Sequence, residues 1–226
     1  MPISRQTLEF LMENRMRNSR EWFHEHKADY QKYVIGPMTA LAQELGPVMT
    51  GIDPELITEP RVGKVLSRVN RDTRFTKDKS FYREVMWLGY TRDKKRYPCR
   101  PGFFFEFSPE GFRYGCGCYY MPPAVMEKTR QMILGGNPLF KKAREEYEKQ
   151  SHFQLEGEMY KRPRCPGAPE ELRVWVERKN LDLIHNSQDF DLLFSENLGK
   201  VLSQKYLEIC SFYWFVLAGT VQADVI

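Results

Sequence analysis

Fifteen residues, Arg68 to Tyr82, read R-V-N-R-D-T-R-F-T-K-D-K-S-F-Y and bring together five cations, two aspartates and a terminal tyrosine. Neither a helical nor a strand period runs through them, so the charges point to a site rather than to an amphipathic face. Arg68, Arg71 and Arg74 repel one another when gathered, and a fold that gathers them must supply an anion, either its own carboxylates or a bound ligand. Arginine's planar fork grips a phosphate or carboxylate through two parallel hydrogen bonds, Lys79 adds a point charge, and Tyr82 donates through its hydroxyl. Asp72 and Asp78 leave three chemistries open. They orient the arginines by ion pairing, coordinate Mg²⁺ beside a phosphate, or act as a general base where desolvation raises a carboxylate pKa. The structural alternative is an internal Arg-Asp network that clamps an irregular connection.

The surrounding charge is lopsided. Arg61 to Arg100 holds thirteen Lys or Arg against four Asp or Glu, a balance of +9, whereas the whole chain of 226 residues is only +4. Such asymmetry attracts phosphates, nucleic acid or acidic partners, and a solvated basic face is the bland alternative. Single-stranded nucleic acid fits the same stretch through its interleaved Phe75, Phe81, Tyr82, Trp87, Tyr90 and Tyr97, on which bases could stack while cations track the phosphates.

Other chemistries lack their geometry. His24 and His26, two apart on a predicted helix, point to different sides, and His26 is expected to pack beside Trp22 and Tyr30. Cys116 and Cys118 on one strand face would lie about 6.6 Å apart, whereas sulfurs bound at ~2.3 Å to a tetrahedral zinc sit about 3.8 Å from one another. No metal site built on these histidines or cysteines is therefore expected. A thiol with His152 or His185 has no local support, and no nucleophile elbow, Walker loop or dinucleotide fingerprint appears, so no cofactor is named.

With 42% hydrophobic and 28% charged residues the chain has the makings of an aromatic-rich globular core. Its length favours one domain, 1–226. The longest apolar stretch, Phe212 to Gly219, is far short of a membrane span of roughly 20 residues. The opening Met-Pro-Ile-Ser-Arg lacks the apolar region of a secretory signal, and five cysteines without framework spacing suit free thiols. The expectation is a cytoplasmic protein without a membrane partner; the sequence is silent on oligomeric state.

The elements that must hold the charged run follow from periodicity and punctuation. Ser4 and Ser19 cap two helices, the second with an aromatic face of Trp22, Phe23, His26, Tyr30 and Tyr33, and Gly36-Pro37 interrupts it before a helix through Met38 and Leu45. Gly63 to Asn70 reads as a strand, with Lys64, Leu66, Arg68 and Asn70 on one face; Tyr82 to Tyr90 is a further strand or a helix. Gly102 to Ser108 and Phe112 to Tyr120 form a hairpin, whose Gly115 and Gly117 clear one face for a ligand or another backbone. Helices follow from Pro122, from Pro138 to about Gln150, from Pro169 to Lys179, and from Ser195 to the end. The architecture expected is a single α+β domain, with an antiparallel or mixed sheet, Tyr160 as a candidate member, covered by N- and C-terminal helices.

The run also resembles a known family, the bacterial proteins grouped as domain of unknown function 2461. Their signature, R-x-x-R-D-x-R-F-x-x-D/N-K-x-x-Y, is met without a gap by Arg68, Arg71, Asp72, Arg74, Phe75, Asp78, Lys79 and Tyr82. The resemblance extends to Arg20-Glu-Trp-Phe23 with Lys27 and Tyr30, to Gly115 to Pro122, and to Lys161-Arg162-Pro163, while Ser19 and His26 stand where asparagine is common. It implies no activity, because the family has none assigned. The expected site is an anion cradle of Arg68, Arg71, Arg74, Lys79 and Arg162. Asp72 and Tyr82 stand in catalytic positions if chemistry occurs, and Trp22, Gly115 and Gly117 form a wall. The expected ligand is an anionic, phosphate-bearing small molecule, bound or turned over. Nucleic-acid binding and a structural ion network with function at a partner surface are the alternatives.

Overall fold

The computed structural model describes residues 2–97 and 99–221. It opens with helices α1 (Arg5–Arg17), α2 (Arg20–Glu25), α3 (Lys27–Tyr30) and α4 (Gly36–Ile52), followed by strands β1 (Met86–Thr91), β2 (Gly102–Ser108) and β3 (Gly111–Gly117). Then come α5 (Pro123–Leu134), α6 (Pro138–Glu148), β4 (Gln154–Glu156), α7 (Glu170–Val176), β5 (Asp182–Ser187), α8 (Phe190–Leu193), α9 (Leu198–Glu208) and α10 (Cys210–Val221). The fold is α+β, with an open antiparallel sheet in the order β1-β2-β3-β5-β4. The chain forms two compact units, one from residues up to 90, 104–114 and 186–204, the other from 91–103, 115–185 and 205 onward.

In the first unit the helices gather the aromatic face foreseen in the sequence. Phe10 packs on Trp22 and Tyr30, and Trp22 stacks on His26 at 4.1 Å. Gly36-Pro37 does not end the helical path: a widened π turn over Gln31–Ile35 leads straight into α4. The reason is local. Pro37 has no amide with which to reach the Tyr33 carbonyl, and the Thr7 hydroxyl donates to that oxygen instead at 2.6 Å. Alternate residues Met86, Leu88 and Tyr90 of β1 are buried, and the Tyr90 hydroxyl donates to Ala42 of α4.

The strand expected over Gly63 to Asn70 is a correction. The segment makes only isolated bridges, Leu66 with Leu88 and Asn70 with Tyr82 among them, and Val65, Leu66, Ser67 and Val69 are buried without alternation. Gly63 at φ +84° turns the chain, and its amide donates to Leu66, so this stretch curls instead of extending.

In the second unit Phe103 at the start of β2 packs on Tyr206 of α9 and Tyr213 of α10, and Phe140 of α6 sits against Trp175 and Phe215. Arg130 of α5, almost fully buried, donates to the Val176 and Arg178 carbonyls, so it caps the end of α7, which stops short of Lys179. β3 ends at Gly117, leaving Tyr119 and Tyr120 exposed beyond it. Tyr160 is not in the sheet: its amide bonds Glu177, and the strand beside β5 is the short β4, paired Gln154 to Ile184. The terminal helix is two, divided at Ile209. Among the described residues no helix is long and apolar enough to cross a membrane.

Candidate functional site

The charged run is a loop with a closed neck. The Arg71 amide donates to Phe81, the Arg83 amide donates to Val69, and Asn70 bridges Tyr82. Asn18, whose left-handed conformation ends α1, accepts the Phe81 amide on its side chain at 2.7 Å. Within the loop two aspartates fold the backbone onto themselves, Asp72 accepting the Arg74 amide and Asp78 accepting both the Ser80 amide and hydroxyl. Short carboxylate side chains compete with regular secondary structure in this way, which is why no strand forms here.

The cations divide into three sets. Arg74 grips Asp72 through two bonds, 2.9 and 2.6 Å, at the exposed tip, and this arginine holds the Asp72 carboxyl down at about 2. Asp78 receives Arg15 of α1 at 2.9 Å and Arg71 at 3.2 Å; its carboxyl is likewise held at about 2, first by Ser80 and then by the two arginines. Arg83, beside the neck, has no carboxylate partner among the described residues. One Nη donates to Asn70 and its guanidinium lies 4.6 Å over the Trp87 ring. Burial, and then the charge of Arg71, lower the Arg83 pKa, and the Arg83 side chain reaches back to the carbonyl of Asn70, the residue before Arg71. The Nε atoms of both Arg71 and Arg83 are buried without a hydrogen-bond partner.

The other expected residues fall as follows. Arg68 is exposed against the turn at Gly63 and has no ion-pair partner among the described residues. Lys79 donates to the Thr73 carbonyl at 2.7 Å, bracing the loop from within. Tyr82 is 2% exposed and packs on Phe23; burial raises its hydroxyl pKa, which makes it a weaker acid. Its neighbour Tyr30 is pushed up to about 12 by burial, eased by a bond with the Val69 backbone. Trp22 belongs to the aromatic cluster of the same unit.

Gly115, Gly117 and Arg162 belong to the second unit. A Cβ on Gly115 would overlap the Leu183 carbonyl and lie 2.9 Å from its carbon, and one on Gly117 would overlap Asp182. The clearance expected at these glycines is thus taken by the backbone of β5. Arg162 is exposed in the proline-rich loop before α7.

Sequence reading missed Arg15, Asn18 and Arg83. Arg83 directly follows Tyr82 and was within reach of the eye, but Arg15 and Asn18 meet the loop only through the fold. Among the described residues no group of three or more His, Cys, Asp or Glu gathers for a metal. The first unit has grooves of about 520 Å³ at the β2–β3 turn, between Glu106 and Gln188, and on α1 around Met12 and Met16; neither is lined by a signature side chain.

No curated protein and no solved structure matches the chain. One family model does, over residues 6–215, which take in nearly all of α1, the whole charged loop, the sheet and half of α10. With its aromatic helices, its Arg-Asp loop and nearly its full length inside that match, the chain belongs to the family described as Conserved hypothetical protein (DUF2461).

Proposed function

We propose that the loop neck binds a phosphate-bearing anion between Arg71 and Arg83, with Arg15 beside them. The observation that carries this reading is the pair of neighbouring guanidiniums whose Nε atoms are buried and unpartnered. Three arginines meet there against one carboxylate, Asp78, so an incoming dianion would relieve their repulsion. Arg68 and Lys79 add positive potential around the loop. Asp72 orients Arg74: a carboxylate held at about 2 is a poor proton acceptor at neutral pH, so its part is positional rather than that of a general base. Tyr82 supports the neck from beneath through its contact with Phe23. Binding is thus better supported than turnover. The five cysteines are free thiols, which suits the reducing cytoplasm.

Thermal denaturation in the presence of phosphate, pyrophosphate, tripolyphosphate and nucleotides tests the reading. A ligand at 100 times its Kd stabilises by about 2.7 kcal/mol, or roughly 5–10 °C for a chain this long. Arg71→Met should abolish the shift. Absence of any response to all of these anions would overturn the proposal.

A further inference from the structure

The same loop displays two aromatic rings, one of them left almost wholly in solvent. Phe75 is 92% exposed and Phe81 is 37% exposed. Single exposed apolar residues are ordinary, but each of these carries a guanidinium over its face, Arg74 at 5.5 Å on Phe75 and Arg20 at 4.6 Å on Phe81. The tip that presents Phe75 is braced on both sides, by the Asp72 bonds to Arg74 and by the Lys79 bond to Thr73. It holds the ring out while making little use of it.

From this arrangement we infer that the anion recognised at the neck is a nucleoside phosphate, its base stacked on Phe75 and its phosphate on Arg71 and Arg83. The inference rests on the anion reading above and names the ligand class for that site. An aromatic face accepts any base, because every base has a π surface, and a flanking guanidinium adds a cation–π contact to the same stack. Phosphate contacts alone supply charge-dependent affinity; a ring at the loop tip adds an increment that inorganic polyphosphate cannot collect. Neither of the two grooves of about 520 Å³ in its unit is lined by the loop, so the nucleotide is expected as part of a single strand in preference to a free mononucleotide.

The test measures dissociation constants for tripolyphosphate, ATP and a short single-stranded oligonucleotide, with wild type, Phe75→Ala and Phe75→Leu. Phe75 is so exposed that neither variant threatens folding. Wild type should bind the base-bearing ligands roughly ten-fold or more tighter than tripolyphosphate, as one stacked base allows. Phe75→Ala and Phe75→Leu should both erase that difference and leave tripolyphosphate binding unchanged. Preference for the oligonucleotide over ATP identifies the strand as the source, and the reverse identifies a free nucleotide. Equal affinity of wild type for all three, or a base preference that survives both variants, overturns the stacking inference while the anion site stands. Failure of tripolyphosphate itself to bind would remove the anion site beneath it.

Discussion

Replacing Arg71 by methionine separates a binding site from a structural clamp, because the two predict opposite signs for stability. The side chain is only 28% exposed, and Met keeps an unbranched apolar stem of similar reach, so packing changes little. What disappears is a buried Nε without a partner, worth about 1–3 kcal/mol of unrewarded desolvation, and a positive charge beside Arg83. What is lost is the 3.2 Å pairing with Asp78, which remains bonded to Arg15 and to Ser80, and a solvent-screened pair of this kind contributes little. The balance favours the variant by about 1 kcal/mol, a rise in Tm of roughly 2–4 °C for a chain of this length. Thermal unfolding followed by circular dichroism at low and high salt measures it, and the gain should shrink at high salt as the Arg71–Arg83 repulsion is screened. A Tm lowered by several degrees, with wild type unresponsive to anions, would show that Arg71 holds the loop together and would refute the reasoning.

Three further outcomes test the fold. Gly115→Ala should destabilise by about 3 kcal/mol, roughly 6–12 °C, because the new Cβ meets the Leu183 carbonyl and sits 3.1 Å from the Ile184 Cα, forcing β3 off β5. Gly51→Ala, in open space on α4, should gain up to about 1 kcal/mol; a Gly115→Ala protein as stable as wild type would return that glycine to the pocket-wall role. His152 stacks on His185 at 3.7 Å, and burial, with help from His185 and Lys205 and against Glu208, holds it down at about 4. The unfolded chain therefore takes up this proton first as pH falls from about 6.5. Stability present above that pH should decline towards pH 4, and His152→Gln should flatten the decline in a Tm-against-pH series.

Much of the fold was legible because its signals are local. The hairpin turn, the Ser19 cap and the aromatic helical face follow from residues within a turn or two of one another. Three readings failed, two of them for reasons that sit far away in the sequence. Pro37 stays in the helical path because Thr7 serves the carbonyl it abandons. β5 went unseen since Asp182-Leu-Ile-His-Asn-Ser187 alternates poorly, its identity coming from the glycines of β3 that let it approach. Gly63 to Asn70 has the composition of a strand, but its buried Val65, Leu66, Ser67 and Val69 point inward from a curled backbone.

The site was legible in place but not in balance. Counting charges along Arg68 to Tyr82 treats the run as one cradle, whereas the structure divides it. Asp72 neutralises Arg74 at the tip, and Asp78 is shared between Arg71 and an arginine of α1 that the motif does not contain. Arg83, entering from just outside the signature, adds a positive charge at the neck, while at the tip Arg74 is paired with Asp72 and the Phe75 ring stands exposed. The proposed ligand would place its charge at the neck and an apolar plane towards the tip. On the proposed reading Arg71 variants should lose anion binding altogether, whereas Phe75 variants should lose only the preference for a base.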